Sequence, residues 1–236
     1  MKVAPKFIHY FKGFSFPSDI ILTAVYIKCR FSLSYRDIEE LCEMRGVRLD
    51  HATVQRWVIR FIPLLDKRFR LRKKSVSDSW RMDETYIKIR GKWKYLYRAV
   101  DKYGDTIDFL LRAKRNKPAA KAFFRKGIRQ NGKPAKVNID KSGSNTYALA
   151  DMNSKYEQNN EGEIEIRQNK YLNNRIEGDH RFIKRIVRPM LGFKSFESAR
   201  ITIAGIETVN MIRKSQLNTT TNNQSNYDQF TSLIAA

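Results

Sequence analysis

Asp83, Asp140 and Glu177 are the residues of this chain whose type and setting could do chemistry. Asp83 lies in Trp-Arg-Met-Asp-Glu-Thr-Tyr (80–86), Asp140 in Val-Asn-Ile-Asp-Lys (137–141) and Glu177 in Asn-Asn-Arg-Ile-Glu-Gly-Asp-His (173–180). Both aspartates fall at the start or end of strand-like runs, and the glutamate falls in a helix-like run. Lys184 follows Glu177 by seven residues, so the two share one face of a helix that repeats every 3.6 residues. Carboxylates are hard oxygen donors, and three that converge can hold two magnesium ions. One ion would lower the pKa of an attacking water or 3′ hydroxyl, and the other would stabilise the leaving 3′ oxygen of an in-line displacement at phosphorus. Each carboxylate read alone is an ordinary surface group; type, order and setting together carry the reading. Asp140 ends an apolar strand, where a charge is costly without partners or a metal. Glu84 is expected on the strand face opposite Asp83. Asp101, Asp105, Asp108 and Asp179 lack a comparable setting and read as surface residues.

The partner of such a site follows from charge. The 236 residues carry 46 Lys+Arg against 24 Asp+Glu, a net charge of +22. That balance points to a polyanion, nucleic acid before a membrane surface. A hydrophobic fraction of 42% and 12% aromatic residues exclude a disordered basic tail as the main body. Cys29 and Cys42 belong to no CxxC or zinc pattern and read as buried free thiols in a reducing compartment. No apolar stretch has the length of a membrane span, and no signal-peptide core opens the chain, so a cytoplasmic, nucleoid-associated protein is expected.

Three groups of elements must position these residues. Residues 18–62 read as three helices, the first capped by Ser18 or Asp19. Ser34-Tyr35-Arg36-Asp37 has the spacing of a capping box, with Asp in place of Glu. Gly46 breaks the second helix, Asp50 caps the third, and Val54, Trp57, Val58 and Phe61 form its buried stripe. This is a helix-turn-helix pattern whose outer face presents His51, Thr53, Gln55, Arg56 and Arg60 to DNA. The basic run Lys67–Lys74 reads as a linker. From Trp80 the period becomes two. Met82–Ile89, Trp93–Ala99 and Ile107–Leu111 form an antiparallel meander with Arg90-Gly91 and Tyr103-Gly104 at its turns. A helix from Pro118, a strand over 136–140, a helix from about Asn145, a strand over 164–167 and the long helix 172–187 follow. Trp80, Trp93, Tyr95 and Tyr97 are expected in the core. The order is that of a ribonuclease H-like α/β fold with a mixed five-stranded sheet, preceded by an all-α domain. In that fold the first and fourth strands are neighbours, which brings Asp83 and Asp140 together under the helix of Glu177. Lys184, Arg181 and Arg185 continue a basic face suited to phosphate, and His180 reads as a residue behind the metal ligands. Expected boundaries are 1–74 for DNA binding, 75–216 for catalysis and 217–236 for a polar, disordered tail. An amphipathic helix, 196–212, closes the second.

Trp-Arg-Met-Asp-Glu-Thr-Tyr-Ile-Lys, Trp-Lys-Tyr-Leu-Tyr-Arg-Ala-Val-Asp, Asn-Ile-Asp-Lys and Tyr-Leu-Asn-Asn-Arg-Ile-Glu-Gly-Asp-His-Arg-Phe-Ile-Lys-Arg together resemble the DDE-type insertion-sequence transposases. The nearest group is the sixth insertion-sequence family, that of cointegrate-forming bacterial elements, and the resemblance covers Phe11–Gln216. It implies a catalytic triad of Asp83, Asp140 and Glu177, with Lys184 as the basic residue that follows. It implies Mg²⁺ with Mn²⁺ as a substitute, binding to terminal inverted repeats, and replicative joining of 3′ ends to target DNA. It also implies a homodimer or larger assembly on paired ends. Two departures stand out. Thirty-six residues separate Asp140 from Glu177, about two more than the family pattern, and Gly178 stands inside the catalytic helix, where glycine costs roughly 1 kcal/mol. Other readings of the same residues are a sequence-specific DNA binder that has lost catalysis and a structure-selective nuclease of the same fold.

Overall fold

The computed structural model describes residues 2–141, 143–219 and 224–235, with residue 170 by its backbone alone. The chain forms two compact units. One comprises Met1–Lys74 with Arg185–Ala236, and the other is Ser75–Lys184.

The second unit is built on a sheet ordered β3-β2-β1-β4-β5. Strands β1 (Ser79–Ile89), β2 (Lys92–Asp101) and β3 (Thr106–Arg112) form the antiparallel meander. Arg90 and Gly91 take positive φ at the first turn, as a two-residue hairpin loop requires, and so fix the register that pairs Asp83 with Arg98. Helix α4 (Lys117–Asn131) leads into β4 (Lys136–Asn138), which runs parallel to β1, and α5 (Gly143–Gln158) leads into β5 (Glu165–Arg167), parallel to β4. Helix α6 (Lys170–Val187) follows. This is the mixed five-stranded, ribonuclease H-like sheet expected from the element order. Its core gathers Trp80, Met82 and Tyr97 from the strands and Phe123, Phe124, Leu149 and Met152 from α4 and α5. Trp93, expected in that core, is exposed and packs edge-on against Tyr86.

The first unit contains α1 (Ser18–Arg30), α2 (Tyr35–Glu43) and α3 (His51–Arg70). α1 begins after Pro17 with no side-chain cap. Ser34 and Asp37 close the capping box at α2, and Asp50 accepts from the backbone of Ala52 at α3. Two further findings differ from the sequence expectations. Helix α7 (Phe196–Arg213) is not amphipathic at the edge of the catalytic region. It is buried nearly all round, from Ala199 to Ile212, and packs on α1 and α3. Gly205 permits this approach, since a Cβ there would lie 2.5 Å from the Cys29 thiol and 2.7 Å from Ile62 Cδ1.

The second difference is the tail. Residues 220–223, inside the expected disordered segment, lie outside the described residues. Beyond them, α8 (Asn226–Thr231) starts with a Ser225–Asp228 capping box. Phe230, Leu233 and Ile234 are buried, and Val3 bridges to Ala235. Burying these apolar groups outweighs the chain entropy that the polar composition suggested would win. Arg72, in the expected linker, donates to the carbonyls of Ser232 and Asn218. Among the described residues, no helix is long and apolar enough to cross a membrane.

Candidate active site

Asp83 and Asp140 meet because β4 is short. Its ladder with β1 ends at the pair Arg81–Asn138. The chain then passes the open edge of β1 beside Asp83 and Glu84. At such an edge side chains from both faces of a strand can converge. Ligand oxygens of Asp83, Glu84 and Asp140 lie within 4.8 Å of one another. Glu84 is therefore part of the carboxylate group, although it follows Asp83 in the strand and belongs to the opposite face. Its side chain is only 4% exposed and is held by Arg115.

Electrostatics mark Asp83. Burial pushes its carboxyl up to about 7; the backbone N–H of Glu84 works against this, and the charges of Glu84, Asp140 and Glu177 add to it. Burial also raises Glu84, with Arg115 opposing. Glu177 stands on the exposed side of α6, outside the close group of three, yet its charge acts on Asp83. A set of carboxylates crowded beside a partly buried acid is what a hard divalent cation would neutralise, so Mg²⁺ suits this donor set.

Helix α6 is tethered on either side of Glu177. Asn138, buried at the end of β4, donates through Nδ2 to Asn173 Oδ1 at 2.5 Å and to the Asn169 carbonyl at 3.0 Å. Beyond Glu177, Asp179 accepts from Arg98 Nη2 at 2.7 Å. Arg98 is 0% exposed, and its guanidinium carbon lies 4.8 Å from the Phe182 ring centroid. Asp179 is thus a structural anion rather than the surface residue expected. Asp101 and Asp108 are also buried: Asp101 accepts backbone N–H groups from Ser77, Tyr103 and Asp105, and Asp108 binds Lys126.

His180 is buried on the inner side of α6, its Nδ1 3.8 Å from Asp83 Oδ2. Burial, then Arg98 and Lys184, push its pKa down to about 3, so it stays neutral as a packing partner of Asp83. Lys184 is half-buried, whereas Arg181 and Arg185 are exposed. In α3, Gln55, Arg56 and Arg60 are exposed and Thr53 is half-buried. Arg56 donates to Thr53 Oγ1 at 2.7 Å, and Arg60 donates to the Tyr10 carbonyl at 3.1 Å. His51, expected near bases, instead has Nδ1 2.9 Å from both Glu39 and Asp50 and ties the turn between α2 and α3.

The DDE_Tnp_IS240 family model, a DDE domain, matches residues 77–216. The transposase for the insertion sequence-like element IS431mec of Staphylococcus aureus strain Mu50 is 42% identical over 207 residues, 88% of this chain and 90% of that protein. The transposase for IS257 in transposon Tn4003 of Staphylococcus aureus shows the same identity and coverage. This chain belongs to the sixth insertion-sequence family of DDE transposases. As a member it is a metal-dependent enzyme of DNA cutting and joining. The HTLV-2 integrase catalytic core, solved with magnesium in a dimeric form, is similar at 17% identity and a TM-score of 0.46, covering 67% of this chain and 99% of that one. The family match runs on to 216, whereas the compact unit that holds the carboxylates ends at Lys184.

Arg98, Asp179, Glu84, Arg115 and Asn145 were missed by the motif reading. Arg98 had a signal: the Arg90-Gly91 turn alone pairs it with Asp83.

Proposed function

We propose that this transposase binds the terminal inverted repeats of its element, cuts the 3′ ends and joins them to target DNA in replicative, cointegrate-type transposition. The observation that carries the reading is the meeting of Asp83 and Asp140, with the charge of Glu177 acting on Asp83. Asp83, Asp140 and Glu177 would hold two Mg²⁺ ions, with Mn²⁺ able to replace them. When bound, the metal supplies Lewis-acid activation of the attacking oxygen and charge stabilisation of the leaving one. The chain's own residues do the rest. Burial of Asp83 favours its protonated form until a cation arrives, which couples ion binding to proton release. Asn138 and Arg98 hold α6, and with it Glu177, at a fixed height beside β1. Lys184, Arg181 and Arg185 lie along the same helix and suit phosphate contact. His180, kept neutral by burial, packs beside Asp83 and supports it.

The exposed side chains of Gln55, Arg56 and Arg60, with Thr53, suit the major groove and its flanking phosphates. The protein would work in the cytoplasm at the nucleoid, as a homodimer or larger assembly on two ends. The test is strand transfer from a labelled duplex carrying the element's inverted repeat into supercoiled plasmid, with Mg²⁺, with EDTA, and with Asp140→Ala. Metal-dependent joining that Asp140→Ala abolishes is expected. Cleavage without joining would replace this reading with a nuclease, and end binding without cleavage would replace it with a DNA-binding protein.

A further inference from the structure

Asp140 stands two residues beyond the end of β4, so no strand ladder holds it. Side chains from two other places in the chain do. Arg115, in the connection from β3 to α4, directs its guanidinium at two carboxylates. Nε and Nη2 reach Glu84 Oε1 and Oε2 at 3.1 and 3.2 Å, and Nη2 reaches Asp140 Oδ2 at 2.9 Å. Asn145, fully buried in the first turn of α5, spans the same pair, with Nδ2 3.3 Å from Glu84 Oε1 and 3.4 Å from Asp140 Oδ1. The next residue after Arg115, Asn116, caps α4 through its side chain, so the guanidinium starts from a fixed point. Burial alone would lower the pKa of Arg115, but Glu84 and Asp140 more than offset this and keep it charged.

We propose that Glu84, Arg115 and Asn145 form a clasp that positions Asp140 for its divalent ion, with Glu84 as the buried anchor of the clasp. The inference rests on the reading of Asp140 as a metal ligand. A carboxylate oxygen has two acceptor directions. Arg115 and Asn145 can therefore each take one direction on an Asp140 oxygen and leave another for the ion. The guanidinium also offsets the repulsion among three carboxylates, which a neutral partner could not do. A planar fork meets both oxygens of Glu84 and still reaches Asp140; an ammonium cannot. These are positioning residues that act through Asp140. The opposite arrangement, in which Arg115 occupies the place of the ion and competes with it, predicts the reverse effect on affinity.

The experiment is a Mn²⁺ titration of the full-length protein, free ion being followed by electron paramagnetic resonance, with and without an end duplex. Wild type is compared with Arg115→Gln, Arg115→Lys and Glu84→Gln, with circular dichroism melts to verify folding. The clasp predicts a midpoint about tenfold or more higher in Arg115→Gln and Glu84→Gln, with little recovery in Arg115→Lys. It further predicts that strand transfer by Arg115→Gln returns at saturating Mn²⁺, which a general structural defect would not allow. An unchanged or tighter midpoint overturns the clasp, as does failure of high Mn²⁺ to restore joining in a folded variant. If Arg115→Gln does not fold, Arg115→Lys decides the matter by the same midpoint. Wild type that binds Mn²⁺ but joins no DNA would sink the transposition reading while the midpoints still judge the clasp.

Discussion

Two buried cations illustrate how this chain manages charge away from water. Arg98 is wholly enclosed and paired with Asp179. Removing one partner of such a pair leaves an uncompensated charge, at a cost of about 3–5 kcal/mol. Arg98→Met should therefore destabilise the protein by that amount in denaturant unfolding, and Arg98→Met with Asp179→Leu should recover most of it. Equal losses in the single and double variants would show that the pair does not set the stability. Lys28 sits in α1 with its ammonium 2.6 Å from the Leu33 carbonyl and 4.6 Å from the Tyr35 ring centroid. Burial, opposed by Cys29 and Asp37, lowers its pKa from 10.5 to about 8. Between those values the unfolded chain binds more protons than the folded one, so stability rises with pH across that window by at most about 1.4 kcal/mol per unit. Compared with Lys28→Met, wild type should gain stability from pH 8 to 10.5 and show a constant difference below 8. Parallel urea midpoints throughout would contradict the assigned shift.

At the scale of elements, close approach decides more than composition. α7 reaches α1 and α3 through Gly205, where a Cβ would press on Cys29 and Ile62. Gly205→Ala should cost about 1–3 kcal/mol through overpacking, although alanine favours a helix, and Gly205→Ala with Cys29→Ala should return part of it. A more stable Gly205→Ala in thermal melts would mean that the helices yield freely. The same helix shows what was legible in sequence. Val54, Trp57, Val58 and Phe61 announced the buried stripe of α3, whose other face meets solvent, and the alternation in 82–111 with its two glycine turns announced the meander, although Leu96–Asp101 of β2 is buried on both faces. α7 meets little solvent, so Glu207, Thr208 and Asn210 on its buried surface disguised it as an amphipathic helix. Glu84 keeps the pleat, paired with Tyr97 in the ladder with β2, and still joins the carboxylate group because Asp140 lies at an edge that side chains from both faces of β1 can reach. Phe230, Leu233 and Ile234 were missed because a six-residue helix after an Asn/Thr run gives no period to read.

The whole molecule departs from a linear division into a DNA-binding head, a catalytic body and a tail. The unit that contains α1, α2 and α3 is assembled from Met1–Lys74 and Arg185–Ala236. α7 covers α1 and α3, and α8 packs on α1 and α7. Tyr26 of α1 meets Tyr227 and Phe230, with ring centroids 5.3 Å away in each case. Residues 1–74 produced alone would expose the apolar surface that these helices cover, including Tyr26 and Cys29 of α1 and Ile62 of α3. Exposing several such side chains, at about 1.5–3 kcal/mol each, exceeds the margin of a small domain. The expected outcome is that the 1–74 fragment lacks a cooperative melt, whereas 1–74 joined by a flexible linker to 185–236 melts cooperatively and binds the inverted repeat. The carboxylate-bearing segment 75–184 keeps its own core and should melt cooperatively by itself. Circular dichroism and hydrogen exchange on the three proteins would decide the matter. A stable, cooperatively melting 1–74 fragment would make the C-terminal helices an accessory. Its instability would mean that α1, α2 and α3 hold their fold only when residues 185–236 cover them.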